Sequence, residues 1–338
     1  MVRRFARAHP WWSIWIAVAT LVLLYLIFAI WPPWLIALLG KKKLFLNSLF
    51  NGITLGSLYF LIASGFTLIF GLMRNVNLAH GSLYMLGGYI GYLVGDLTGY
   101  WLLAFPAAFV AVGLFGILLQ YFVFRRMEGE DIRQTLVTLG ISIVLADIML
   151  WMFGGDFYNI SPPSWLSGPM DTFFVTGVKR SSGELIYLKY PLVRIAILIA
   201  SIVIGVGMWL ALNRTRIGML IRAGVDDRDI LSASGIRIQL VFVAVFAFGA
   251  GLAGMAGVVG GTFQSIAPGE DIRFLLASLV VVIVGGMGSI PGAALGAVII
   301  GIAEQFGSVY FPTYAVVVTF LIMVLVLAFR PRGLLGRN

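Results

Sequence analysis

Residues 51–95 read NGITLGSLYFLIASGFTLIFGLMRNVNLAHGSLYMLGGYIGYLVG. Most of this run is apolar or small. The interruption is Asn75-Val76-Asn77-Leu78-Ala79-His80-Gly81, where two amides and an imidazole break the pattern. Polar groups at membrane depth are costly unless protein or a water-filled path surrounds them. The stretch therefore predicts a helix that ends, a polar break, and a second helix that starts at once. It is read as the first half of a translocation path.

The rest of the chain supports a membrane setting. Of 338 residues, 60% are hydrophobic and 11% charged, and the mean hydropathy is +1.01. A soluble domain carries about a quarter charged residues. The 41 glycines suit close packing between membrane helices. A net charge of +9 raises nucleic acid as a partner, but the arginines lie in short loops between apolar spans, as the positive-inside rule expects. Cysteine is absent, which excludes disulfides and thiol chemistry. Arg3, Arg4 and Arg7 precede the apolar run Trp11 to Ile30, which is long enough to span and is read as an uncleaved first helix.

Hydropathy predicts an all-α polytopic membrane protein of about ten transmembrane helices, at 11–31, 46–72, 76–95, 100–124, 134–153, 192–212, 239–262, 273–289, 291–308 and 314–330. An even number puts both termini on one side. With that side inside, the inner segments hold 15 arginines and the outer ones three arginines and five lysines, so N-in and C-in is expected. Lys41, Lys42 and Lys43 are the discordant group. The organisation is a first helix and linker over 1–45, a main transmembrane domain over 46–332, and a cytoplasmic tail over 333–338. Within the main domain, 154–191 reads as an external loop rich in Pro and Gly. Segment 213–238 mixes arginines and aspartates with periodic apolar residues, as short amphipathic helices on the membrane surface do.

At an offset of 214 residues the sequence echoes itself. Leu61-Ile62-Ala63-Ser64 matches Leu275-Leu276-Ala277-Ser278, and Gly71, Met73 and Gly87 match Gly285, Met287 and Gly301. Repeated broken helices point to a transport site.

The opening stretch has two readings. Asn77 can cap a helix beginning near Val76, with His80 supplying one interhelical hydrogen bond. Alternatively the amides and the helix N-terminus face a polar or anionic solute group, with neutral His80 as a gate near the inner surface marked by Arg74. With His9 in the N-terminal tail, a metal site is not expected. The stretch Gly285-Gly286-Met287-Gly288-Ser289 lacks the lysine of a nucleotide loop and reads as a tight break beside a pore. Of the acids inside spans, Asp147 and Glu304 fall in outer thirds. No triad, carboxylate dyad or metal cluster is visible, so the chain is not expected to be an enzyme, and no cofactor is expected.

Asn51-Gly52-x-x-x-Gly56-Ser57-Leu58-Tyr59, Ala63-x-Gly65-x-x-Leu68-Ile69-x-Gly71 and Val76-Asn77-Leu78-Ala79-His80-Gly81 resemble the branched-chain amino acid ABC transporter permeases of the LivH/LivM family. The Asn-(Leu/Phe)-Ala-His-Gly stretch makes the LivH type the nearer. Arg216-Ile-Gly218-x-x-x-Arg222-Ala223, Gly235-Ile236, Ala250-Gly251-Leu252-Ala253-Gly254-x-Ala256-Gly257 and Gly285-Gly286-x-Gly288-Ser289 resemble the family's later motifs, over about residues 46–332. The resemblance implies a bacterial inner-membrane permease that pairs with a second, LivM-type permease, two cytoplasmic ATPases and an external solute-binding protein. It also maps an ATPase-coupling loop onto Arg216, Gly218, Arg222, Ala223, Ala233 and Gly235. The expected path residues are Asn51, Asn75, Asn77, His80, Gly81, Gly285, Gly286 and Gly288. The expected solutes are branched-chain or other small amino acids. A urea or short-amide permease, and a stand-alone channel or ion-coupled carrier, are the alternatives. The first helix with Lys41 to Lys43, and the acidic run Asp226-Asp227-x-Asp229, depart from the family pattern.

Overall fold

The computed structural model describes residues 42–73, 76–127, 129–179, 185–226 and 237–336. The expected first span, Asn75, Ala233 and Gly235 lie outside them. The chain divides into a larger unit, 48–171 with 189–338, and a smaller one, 1–47 with 172–188.

The described chain is mostly helical. Its helices are α1 (Lys42–Met73), α2 (His80–Thr98), α3 (Trp101–Phe122), α4 (Asp131–Phe153), α5 (Leu192–Arg214), α6 (Arg216–Asp226), α7 (Ile238–Phe263), α8 (Glu270–Gly285), α9 (Ile290–Tyr310) and α10 (Ala315–Phe329). Nine of the ten expected spans correspond to one of these. Seven are long and apolar enough to cross a membrane: α1, α3, α4, α5, α7, α9, and α10 with the short turn before it. The 19-residue α2 and the 16-residue α8 fall outside that set. At 1.5 Å per residue α8 is about 24 Å long, short of a full hydrocarbon core.

Segment 154–191 corrects the all-α expectation. Pro169–Lys179 (β1) and Leu185–Pro191 (β2) pair in a two-stranded sheet. The β-branched and aromatic residues of Thr172-Phe-Phe-Val-Thr are its sequence basis.

Within the larger unit, α7 is the hub against which α2 and α3 pack. Small residues permit this. A Cβ on Gly65 of α1 would overlap the Gly249 backbone of α7, and one on Gly249 would meet the Gly65 carbonyl. Gly87 of α2 likewise lies against the Gly254 backbone. Without a hydrophobic drive between helices in lipid, such close approach is the main source of cohesion. α1 is 89% buried and α7 67%, whereas α10 is 6% buried, which puts α10 on the periphery. Exposed Val316, Val317, Leu321 and Val324 give α10 a lipid-like face.

The two short helices are introduced alike. Six residues separate the end of α1 at Met73 from the start of α2 at His80, and six separate the end of α7 at Phe263 from the start of α8 at Glu270. The architecture thus matches α1–α2 with α7–α8, whereas the sequence echo aligns α1–α2 with α8–α9. The echo still has a local counterpart, since Ser64 donates to the Leu61 carbonyl and Ser278 to that of Leu275, both at 2.8 Å.

Candidate functional site

Residues 76–79 are non-helical, so α2 starts at His80, later than the hydropathy limits imply. Asn77 Oδ1 accepts from the Ala79 amide at 3.1 Å, and Leu78 N–H donates to Thr138 Oγ1 at 3.0 Å. Asn77 thus satisfies a donor at the entry to the helix. His80 is fully buried, with Nε2 3.0 Å from the Ile62 carbonyl and its ring edge-on to Phe66 at 5.3 Å. A carbonyl only accepts, so Nε2 carries the proton and Nδ1 is the bare acceptor of the neutral ring. Among the described residues His80 Nδ1 and Asn77 Nδ2 are buried without a partner.

His80 packs against the inside of α1 rather than its end. Its partner Ile62 is eleven residues from the end of α1, about 16 Å along the helix.

The N-termini of α2 and α8 meet. A Cβ on Gly81 would overlap the Asp271 carbonyl. Ser82 Oγ lies 3.3 Å from Asp271 Oδ2, and 2.8 Å and 3.2 Å from Ser142 Oγ and its carbonyl on α4. Asp271 is 3% exposed. Sequence reading counted only Asp147 and Glu304 as intramembrane acids and missed it, because hydropathy starts the span at 273. Pro268-Gly269 was the available signal: Gly269 takes a left-handed φ of 89°, and Glu270 and Asp271 follow in the first turn, where the helix dipole favours acids.

Two residues further along α8, Arg273 binds Glu270 at 3.2 Å and Glu304 of α9 at 3.4 Å, with Gln264 Oε1 at 3.4 Å. Tyr59 of α1 donates to Glu304 Oε2 at 2.6 Å. Asp147 stands exposed on α4.

Other expected path residues fall elsewhere. Asn51 accepts from Arg194 and, at 3.2 Å, from Tyr190, which is 2.9 Å from Thr54 Oγ1. It ties the ends of β2 and α5 to α1. Gly285 packs on Gly292, and Gly288 on Gly71. Gly286 has φ 107°, and the C-terminal tail covers it: Leu334 and Leu335 donate to the Val284 and Gly285 carbonyls at 2.8 and 2.9 Å. Ser289 then caps α9 through the Gly292 amide. The structure therefore brings Asn77, His80 and Gly81 together at the α2 entry, and sets Asn51 and the Gly285–Gly288 break apart from them.

The expected coupling residues Arg216, Gly218, Arg222 and Ala223 lie on amphipathic α6. Thr215 Oγ1 accepts from the Gly218 amide at 3.1 Å, starting the helix. A Cβ on Gly218 would overlap the Ala211 and Leu212 carbonyls at the end of α5. Ile221 is buried, while Arg216 and Met219 are exposed. A cavity of about 780 Å³ beside α6 is lined by apolar residues such as Met208, Leu212 and Val245, with Thr215 as its one hydroxyl, so it offers little to a charged solute.

Residues 48–327 match the family model described as branched-chain amino acid transport system / permease component. The chain is 33% identical over 305 residues to the high-affinity branched-chain amino acid transport system permease protein BraD of Pseudomonas aeruginosa, covering 87% of this chain and 96% of that protein. It is 32% identical over 306 residues to the permease protein LivH of Escherichia coli K12, with the same coverage. The permease protein LivM of Salmonella typhimurium is 25% identical over 305 residues, 83% of this chain and 68% of that protein. No solved structure matches the chain.

Proposed function

Since this chain belongs to the permease component family of branched-chain amino acid transport systems, we propose that it is the membrane-spanning subunit of an ABC importer for branched-chain or other small amino acids. The structural observation that carries the reading is the meeting of two short helix N-termini, α2 and α8, inside a bundle of membrane-length helices. Helix N-termini present unpaired amides and a partial positive charge, the arrangement by which broken helices meet polar solutes at depth. The polar groups gathered there are Asn77, His80, Ser82, Ser142 and Asp271, with Asn77 Nδ2 and His80 Nδ1 held in reserve for a conformation that opens the path.

In this reading both termini are cytoplasmic, 11–31 supplies a tenth helix, and the protein sits in a bacterial inner membrane. α6 faces the cytoplasm and docks on an ATPase, and ATP is hydrolysed on two partner chains rather than here. The exposed Arg216 on a helix whose apolar side is anchored by Gly218 and Ile221 supports that role. A second permease completes the path, as supported by similarity to proteins named LivH and LivM alike. An external binding protein supplies the solute.

The test is purification of the tagged chain from its native membrane, followed by reconstitution. Copurifying ATPases and ATP-dependent uptake of labelled leucine support the reading. Uptake of urea but not leucine would move the substrate class, and flux down a gradient without ATP would replace importer by channel.

A further inference from the structure

Charged side chains at bilayer depth face protein or water, because acyl chains solvate them poorly. Arg273, Glu270 and Glu304 remain 43%, 25% and 19% exposed in the single subunit. Glu304 is six residues, about 9 Å, from the end of α9, and Tyr59 lies near the middle of the 32-residue α1. On the same side of α8, Ile272 and Leu276 are 59% and 44% exposed. This face therefore joins apolar surface to a half-open ionic cluster, unlike the uncharged face of α10.

The chemistry of the cluster is that of a zwitterion receptor. It holds two carboxylates and one guanidinium. Tyr59 fixes Glu304 through a short 2.6 Å bond, whereas the Arg273 contacts are long, at 3.2–3.4 Å. Tight charge-assisted pairs sit near 2.7–2.9 Å, so Arg273 is loosely held and its fork can be exchanged. Its guanidinium also lies 5.5 Å over the Phe274 ring, which keeps it in place when a carboxylate leaves.

We propose that Glu270, Arg273 and Glu304 form a station for the charged end of an amino acid on its way through the membrane, with Ile272 and Leu276 beside its apolar side chain. The proposal rests on the reading of the chain as an amino-acid permease. The solute carboxylate takes the Arg273 fork, and the ammonium takes Glu304 and Glu270. Ion pairs are exchanged rather than broken, so no uncompensated charge is left at depth. Half-exposure makes the site reachable, in contrast to Ser82 and Asp271, which are closed.

Because the chain has no cysteine, a single Leu276→Cys variant in the complete reconstituted transporter reports on this face. A charged methanethiosulfonate is added with and without leucine delivered by the binding protein, and Val317→Cys on α10 is the lipid-face control. Leu276→Cys is expected to label, Val317→Cys to stay unlabelled, and saturating leucine to slow labelling at least about fivefold. Adding Glu304→Gln raises the leucine needed for protection about tenfold, as loss of a charge-assisted bond requires. An unreactive thiol, or a reactive one that leucine does not protect, overturns the station when the same vesicles take up leucine. Absence of leucine uptake by the unsubstituted transporter overturns the transport reading, and the station with it.

Discussion

His80 joins two helices through a single tautomer, with Nε2 on the Ile62 carbonyl and the ring against Phe66. Replacing it with alanine removes the bond and opens a cavity, so His80→Ala is expected to lower stability by about 2–4 kcal/mol, the range for emptying a packed site. Thermal unfolding of the purified protein in detergent checks this, and His80→Gln, which keeps an N–H donor, recovers part of the loss. Asn77→Ala removes the acceptor of the Ala79 amide in the turn before α2 and is expected to cost about 1 kcal/mol. The polar break was legible in the sequence, but the expected Asn77 cap of a helix near Val76 is not formed: α2 starts at His80, and its N-cap Ala79 has no side-chain partner, while Asn77 holds the Ala79 amide in the turn before it. The start of α2 at His80 was not legible, since hydropathy merges residues 76–79 into the helix although they are non-helical. Asp271 was hidden for the same reason: an acid three residues before the apolar run reads as loop, yet the left-handed Gly269 starts the helix ahead of it.

At the scale of elements, α6 is the most directly testable. Its start depends on Thr215, and its packing against α5 on the absence of a side chain at Gly218. Gly218→Val is expected to displace α6 and abolish solute-stimulated ATP hydrolysis in the assembled transporter, while membrane insertion stays normal. Stimulation at the unsubstituted level would refute the coupling role. The tail over 332–336 is a second case. Truncation after Arg332 strips two amides from the Val284 and Gly285 carbonyls and is expected to cost about 1–3 kcal/mol by thermal unfolding. An unchanged melting temperature would show that this contact contributes nothing. The break at Gly285–Gly288 was visible in the sequence as glycine spacing, but its cover was not, because a six-residue tail carries no periodicity. The hairpin of β1 and β2 escaped because its turn residues also describe an irregular loop, and only strand pairing separates the two.

For the whole molecule, apolar runs near 20 residues and arginine-rich loops made the membrane class readable without any contact map. What the span limits read from the sequence did not supply was the division between the membrane-length helices and the pair α2 and α8, of which α8 is too short and α2, at 19 residues, is less apolar. That division matters for function, as it places two helix N-termini face to face inside the bundle. The central claim is that this fold passes amino acids at the expense of ATP consumed on partner chains. Uptake of labelled leucine into vesicles carrying the purified complex, with ATP and binding protein present or omitted one at a time, tests it most directly. The account predicts accumulation that requires both; leucine flux that persists without ATP, or no leucine flux at all, would contradict it.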